Sequence, residues 1–449
     1  MNNILRFPDG FRWGAATAAH QNEGCNDANN WSLWEQQPGR IAGGQVCGLA
    51  TNWWDLETAA ADFDRAAGLG LNSLRISVEW SRIEPNPGEF DARALAKYGQ
   101  MVGLLRERGL EPMVTLHHFT DPAWLGEMGG WENPLIGDYF SRFTTRVVDA
   151  LGDQVNLWCT INEPTVYAFI GFHEGLFPPG GRSWRRAAAV LRSMLLAHAR
   201  AYRVIHRLQG DAKVGLAHHL RYFLPADPAN PFDRRVADLY DQIANRSVLD
   251  AVTTGRWGPV LGAGQVVTQL IDTSDYIGLN YYSTTHMRFD RTQPGMFFTR
   301  QAFLPELASC ECTSDGQPFC EINPEGMYLA LKKLQAYGKP IYITENGVPD
   351  REDVQRPYVL ATYLSEVWRA IRDGVDVRGY YHWTLVDNFE WSEGWGLRFG
   401  LVGLDPETQA RTPRRSAELF SRIARQNAIT TEMVQAFAPE AGEQVWGVA

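Results

Sequence analysis

ETAAADFDRAAGL (57–69), NSLRIS (72–77), LAKYGQMVGLLRER (95–108) and EPMVTLH (111–117) follow one another with only short breaks between them. The first and third carry apolar residues at three- and four-residue spacing, the pattern of an amphipathic helix; the second and fourth are short apolar runs of strand length. Working outward, β-type runs recur at Phe11–Thr17, Val155–Ile161, Lys213–His219, Asp275–Asn280, Pro340–Thr344 and Arg378–Trp383. Helical patterns recur at Trp184–Leu208, Glu325–Tyr337 and Tyr358–Arg372. Strands alternating with helices imply right-handed βαβ units and a parallel sheet. Eight such runs, with no Gly/Ser- or Pro-rich linker, predict one α/β domain over 1–449: a (β/α)8 TIM barrel with its active site at the C-terminal ends of the strands. The core is expected over about 7–425. The tail 426–449 lacks strong periodicity and is expected to be partly disordered or packed on the outside of the barrel. An open doubly wound sheet would carry a phosphate-binding glycine fingerprint after its first strand, and Gly14-Ala15-Ala16-Thr17 does not supply one.

The 449 residues are 45% hydrophobic, 21% charged and 12% aromatic, which excludes disorder, collagen-like repeats and a disulfide miniprotein. A net charge of −10 with no basic block argues against nucleic acid or an anionic membrane as partner. No window holds the roughly 18 apolar residues of a membrane span. The first residues, MNNILRFPDGFRWGAATAAH, lack a cationic segment followed by a long apolar one. A cytoplasmic chain is therefore expected, and six cysteines in this length fit a reducing compartment. Cys310, Cys312 and Cys320 form a Cys-x-Cys-x7-Cys segment with no nearby His, a spacing that favours loop thiols over a metal site and leaves a redox or stabilising role open.

Polar residues cluster where the β runs end: Arg75, His117–His118, Asn162–Glu163, Asn280–Tyr282, Glu345–Asn346 and Trp383. In a barrel these positions converge on the active-site face. Two segments carry the chemistry, TINEP (160–164) and ITENG (343–347), on strands four and seven. Each places a Glu just past an apolar run and before a chain breaker. A lone Glu there is ordinarily a loop cap or a surface ion-pair partner. Two in matched settings, each beside an Asn, fit the cleavage of an acetal: one acid protonates the leaving oxygen while one carboxylate attacks the anomeric carbon. Like charges held so close raise the acid's pKa toward its working range. Sixteen Trp residues add side chains able to stack on sugar faces. Glu79 also lies just past a strand and is assigned to ion pairing. Adjacent residues on a strand face opposite ways, so His118 is expected inward, His117 packed toward the helices, and no metal between them.

Together the motifs FRWGAATAAHQNEG (11–24), RISVEWSRIEP (75–85), TLHHFTDPAWL (115–125), TINEP (160–164), IGLNYYS (277–283), YITENG (342–347) and HWTLVDNFEWSEGWGLRFGL (382–401) closely resemble the β-glycosidases of glycoside hydrolase family 1. The resemblance runs from Phe7 to about Arg422. It implies a retaining exo-glycosidase on a (β/α)8 barrel, with Glu163 as acid/base, Glu345 as nucleophile, and Arg75 and Tyr282 bonding the nucleophile. It further implies that Asn162 holds the 2-hydroxyl and that Gln21, His118, Glu390 and Trp391 grip the remaining hydroxyls. Trp383 would lie under the ring, Asn280 beside the acid/base and Phe399 near the sixth carbon. Glu393 is a nearby alternative to Glu390. The chain departs from the family at Phe119, where Trp is frequent, at His20, where Tyr is frequent, and at Asn22, where an apolar residue is usual. Trp124, Phe169, Phe172, His173 and Trp395 are expected to line the aglycone side. Trp13, Trp31, Trp34, Trp53, Trp54 and Trp80 are assigned mostly to packing or loop anchoring.

The expected activity is hydrolysis of terminal non-reducing β-D-glucosyl residues, with β-galactosides and β-fucosides as further substrates. No cofactor or metal is implied; the partners are small β-glucosides or oligosaccharides such as cellobiose, and a homo-oligomer is compatible with the sequence. Three alternatives remain. A 6-phospho-β-glycosidase would need a cationic pocket where Glu390-Trp391 falls; a transglycosidase would use an acceptor sugar in place of water; a catalytically silent sugar-binding protein would have no use for a raised-pKa acid.

Overall fold

The computed structural model describes residues 3–304 and 307–448. Eight parallel strands close into a barrel: β1 (Arg12–Ala16), β2 (Ser73–Ser77), β3 (Glu111–His117), β4 (Leu157–Asn162), β5 (Lys213–His219), β6 (Ile277–Asn280), β7 (Ile341–Asn346) and β8 (Val377–Trp383). They pair in chain order, and β8 returns to β1 with Trp383 opposite Ala16. Every β-type run read from the sequence is one of these strands, with no end displaced by more than two residues. All but the flanks of these strands are buried, because the inner face fills the barrel and the outer face meets the helices.

The surrounding helices begin where the sequence supplies caps. Asp55 accepts from Thr58 N ahead of Leu56–Gly68, Asp91 from Arg93 N ahead of Ala92–Glu107, and Ser183 from Arg186 N ahead of Trp184–Leu208. Helix Ile136–Leu151, between β3 and β4, was not singled out in the sequence. It is rich in aromatic and β-branched residues of modest helix propensity. Packing overrides that preference: Phe140, Phe143, Val147 and Leu151 are buried at helical spacing, and Phe143 stacks on Trp80 at 4.8 Å.

The tail is packed. Ile4–Arg6 pairs antiparallel with Ala428–Thr430, and helix Thr431–Phe437 buries Met433, Val434 and Phe437. Above the barrel mouth, Tyr222–Pro225, Thr284–Phe289 and Thr299–Ala302 form a three-stranded sheet. No helix among the described residues is long and apolar enough to cross a membrane.

Candidate active site

At the end of β4 the chain turns sharply. Glu163 has φ +45° and is followed by Pro164, the first residue of helix Pro164–Phe169. Proline starts a helix readily and keeps its predecessor out of the right-handed helical region. A left-handed non-glycine backbone costs about 1–3 kcal/mol and persists only where surroundings enforce it. Phe119 (φ +68°) and Trp391 (φ +49°), whose rings pack on each other, share this conformation. At the end of β7 the residue after Asn346 is Gly347, where a Cβ would collide with the Trp383 carbonyl oxygen. Glycine thereby lets the loop bearing Glu345 pass directly beside Trp383.

Glu345 is ion-paired. Arg75, fully buried inside the barrel, donates from Nη1 to Glu345 Oε1 at 2.6 Å, and Tyr282 Oη donates to Oε2 at 2.8 Å. Arg75 is itself aimed by Thr115 Oγ1, which accepts from Nε at 3.0 Å. Burial works against the guanidinium charge, but the Glu345 carboxylate together with Cys159 and Tyr276 outweighs it and raises the Arg75 pKa. Burial likewise raises the pKa of Glu345, with Arg75 and Tyr282 pulling it back down. Among the described residues no Lys or Arg is ion-paired with Glu163, and Arg75 and Arg221 act on it only as weaker influences. Burial and the charge of Glu345 push it up to about 8, with Asn280 a smaller opposing influence. At neutral pH the pair therefore divides into a carboxylate at Glu345 and a carboxylic acid at Glu163.

The amide network fixes where the protons sit. Arg75 Nη2 donates to Asn162 Oδ1 at 2.6 Å, so the Asn162 Nδ2 group must face His118 Nε2, 3.1 Å away. His118 is neutral, because burial and then Arg75 hold its pKa well below the usual imidazole value. Its Nε2 accepts, its proton is on Nδ1, and Nδ1 has no partner among the described residues. Asn280 receives Thr344 Oγ1 on its carbonyl (2.6 Å) and donates to Glu163 Oε1 at 2.8 Å. The acid proton of Glu163 is thus on Oε2, the oxygen facing His219 Nδ1 at 3.9 Å.

Around this centre the structure gathers the other residues expected to contact a sugar. Trp383 and Trp391 flank the His118 ring at 5.8 and 5.9 Å. Gln21 Nε2 donates to Phe389 O (2.7 Å) and approaches Glu390 Oε2 (3.4 Å), while its Oε1 lacks a partner among the described residues. Glu390 is pushed up to about 8 by burial and by Glu345. Phe399 packs against the Tyr282 ring at 6.2 Å. Glu393 lies apart from these, taking hydrogen bonds from Ser314 N and Oγ.

The departures from the family pattern are accommodated locally. Phe119 packs edge-on to Trp391 at 5.2 Å, His20 stacks on the same indole at 5.9 Å, and Asn22 Nδ2 bonds Thr51 Oγ1. His117 faces away, bonded to Asp121 at 3.0 Å and packed on Trp131. Glu79 has no ion pair among the described residues. It accepts from the Ser81 and Thr120 hydroxyls instead, a correction to the assignment from sequence.

The five residues expected on the aglycone side divide. Phe169 and His173 line a cavity of about 370 Å³ together with Val166, His219, Phe223 and Met287. Trp124 does not join them: its indole donates to Glu84 O and packs on Trp80 and Tyr139. Phe172 is also elsewhere, buried against Tyr167. Sequence spacing alone does not fix side-chain direction at such positions. Trp395 lines a separate groove with Gln45 and Arg398. His219 and Arg221, unnamed from sequence, both line the cavity. His219 ends β5, so the strand-end rule that singled out the others also marked it. Among the described residues no three His, Cys, Asp or Glu side chains gather as a metal site.

Residues 4–429 match the family model described as glycosyl hydrolase family 1. The chain is 31% identical to beta-glucosidase A of Thermotoga maritima over 95% of its length and 99% of the relative's. It is also 31% identical to a beta-galactosidase of Sulfolobus acidocaldarius, covering 96% and 97% of the two chains. The solved structure of a beta-glycosidase from Pyrococcus horikoshii superposes with a TM-score of 0.87 at 37% identity, over 97% of this chain and 98% of that one. The matches span the barrel and both carboxylate-bearing strand ends alike, and the chain belongs to glycosyl hydrolase family 1 as one of its β-glycosidases.

Proposed function

We propose that this chain is a retaining, exo-acting β-glucosidase that also accepts β-galactosides and β-fucosides. The observation that carries the reading is the division of one proton between two buried carboxyls: Arg75 and Tyr282 hold Glu345 as the anion, while Glu163 keeps its proton near neutral pH. With a terminal sugar over Trp383, the Glu163 Oε2 proton passes to the glycosidic oxygen as that bond to the anomeric carbon breaks. Glu345 closes on the same carbon to give a glycosyl ester. Glu163, now the base, takes a proton from water; the water oxygen bonds the anomeric carbon, the ester breaks, and the sugar leaves with its configuration retained.

His118 Nδ1 and Gln21 Oε1, a donor and an acceptor without partners among the described residues, supply hydroxyl contacts. Asn162 is held by Arg75 in position for the 2-hydroxyl. The proton on Glu163 faces the side lined by His219, so the leaving group departs into the cavity with Phe169, His173 and Phe223. Small β-glucosides and oligosaccharides such as cellobiose are the proposed substrates. Glu390 disfavours the phosphorylated sugars, since a carboxyl near the sixth carbon offers phosphate no cation.

Initial rates on p-nitrophenyl β-glucoside, β-galactoside, β-fucoside and 6-phospho-β-glucoside test the ranking, with Glu345→Gly alongside. Turnover of the unphosphorylated sugars is expected, lost in the variant and recovered with azide as the glycosyl azide of opposite anomeric configuration. A folded protein with no turnover, or an active Glu345→Gly without azide, overturns the assignment.

A further inference from the structure

Residues 309–321, between the upper sheet and helix Pro324–Gln335, fold back as a hairpin that holds three of the six cysteines. Ser309 bridges Glu321 and Cys312 bridges Pro318. Phe319 N donates to Glu311 O at 3.0 Å and Thr313 N to Gln317 O at 2.8 Å. This register sets Cys310 directly opposite Cys320, and Cys310 N donates to Cys320 O at 3.2 Å. Opposed residues of an antiparallel pair have Cα atoms about 4.5–5.5 Å apart, within the roughly 4.4–6.8 Å that a disulfide spans. Both side chains are buried and their Sγ atoms lie 2.7 Å apart, whereas Cys312 is exposed.

The hairpin reaches the pocket through Phe319. Phe319, next to Cys320, packs on Phe399 at 5.3 Å and on Tyr282 at 6.0 Å, and Tyr282 is the phenol bonded to Glu345. Near the tip, Ser314 donates to Glu393, three residues beyond Glu390. Glu311 accepts from Arg351 N at 2.6 Å.

We propose that Cys310 and Cys320 are a disulfide-forming pair, closed by a low-molecular-weight disulfide oxidant, and that the bond clamps the hairpin carrying Phe319 against the sugar pocket. One cysteine thiolate attacks a sulfur of the oxidant and expels its other half. The second thiolate attacks the protein sulfur of this mixed disulfide and expels the remaining half. Two S–H bonds are lost, one S–S bond forms and one breaks. The two electrons reduce the oxidant to two thiols, which carry away both protons. The segment between the two sulfurs then loses its freedom to open, which is the stabilisation a cross-link gives.

The test uses the whole chain treated with oxidised glutathione or with a reducing agent, then alkylated after unfolding and mapped by mass spectrometry. Oxidation is expected to remove about 2 Da from the unalkylated protein and to yield a single Cys310–Cys320 cross-linked peptide. The same cross-link is expected in Cys312→Ser and none in Cys310→Ser. Six alkylated cysteines after oxidation, a persistent glutathione adduct on Cys310 or Cys320, or a link involving Cys312 overturns the pairing. Limited proteolysis within 311–319 is expected to slow about tenfold or more on oxidation, a readout that does not depend on the glycosidase assignment. On p-nitrophenyl β-glucoside, reduction is expected to raise KM about threefold with kcat little changed, as for lost uniform binding. Equal cleavage rates and equal KM in the two redox states overturn the clamp.

Discussion

Replacing Arg75 by Met tests whether the guanidinium sets the working pH of the nucleophile. Arg75 is fully buried and gives Glu345 a 2.6 Å charge-assisted hydrogen bond. Such bonds contribute about 1.5–3 kcal/mol, and one pKa unit corresponds to about 1.4 kcal/mol. Removing the cation should therefore raise the pKa of Glu345 by about one to two units. As the proposed nucleophile, Glu345 attacks only as the anion, so activity is expected to be lost on the acidic side of its pKa. The acidic limb of kcat/KM against pH, which reports the free enzyme, is expected to move toward higher pH by that amount. Tyr282→Phe removes a neutral donor worth about 0.5–1.5 kcal/mol and should move the same limb by about half a unit to one unit. The two carboxyls titrate as a pair, so the limb is compared between variants rather than assigned to one group. An activated aryl β-glycoside keeps the slow variants measurable. A uniform drop in rate with the acidic limb unmoved would refute the electrostatic role and leave Arg75 a packing residue.

Glu163, with a folded-state pKa of about 8 against an ordinary value of 4.5, binds a proton in the native state that the unfolded chain has released. Its stabilising contribution is full below pH 4.5 and is lost as pH rises through 8, at up to about 1.4 kcal/mol per unit. Between pH 5 and 9 the wild-type Tm is expected to fall more steeply than that of Glu163→Gln, and parallel curves in a fluorescence melt would contradict this. Gly347→Ala drives a Cβ into the Trp383 carbonyl. Overpacking predicts a loss of about 1–3 kcal/mol in denaturant unfolding and at least a tenfold drop in kcat/KM, because Glu345 and Trp383 shift together; an unaltered protein would show that the loop has room. Phe169→Ala and Phe223→Ala strip apolar surface from the cavity beside Glu163. They are expected to raise KM for aryl glucosides about three- to tenfold while leaving methyl β-glucoside little affected. Equal losses on both substrates would place the aglycone elsewhere.

What the sequence made legible follows from how strongly each feature is patterned. The barrel strands were readable because apolar runs buried on both faces stand out between amphipathic helices, and their ends marked Asn162, Glu163, Asn280 and Glu345 at once, while Arg75, expected at an end, lies mid-strand in Ser73–Ser77. Loop side chains carry no such period. Trp124 and Phe169 follow their strands in similar ways, yet the first packs on Trp80 and the second lines the cavity. Glu79 looked like an ion-pair partner because its type and place fit one, but hydroxyls from Ser81 and Thr120 satisfy it. The proton assignment was also out of reach: which oxygen of Glu163 is free depends on Asn280, and the Asn280 amide is turned by Thr344. The pairing of Cys310 with Cys320 needed the hairpin register, which a Cys-x-Cys-x7-Cys spacing leaves open.

The pairing of Ile4–Arg6 with Ala428–Thr430 has a practical side. Asn427 takes the indole hydrogen of Trp13 at 2.9 Å, near the start of β1, and Val448 O accepts from Arg372 at the end of the helix that leads into β8. Both stretches therefore lie at the foot of the barrel, across its full height from Glu163 and Glu345. A tag, carrier or solid support joined ahead of residue 4 or beyond residue 448 would hold the molecule by its base with the sugar pocket facing open solution, so tethered enzyme should keep the KM of free enzyme at either point of attachment.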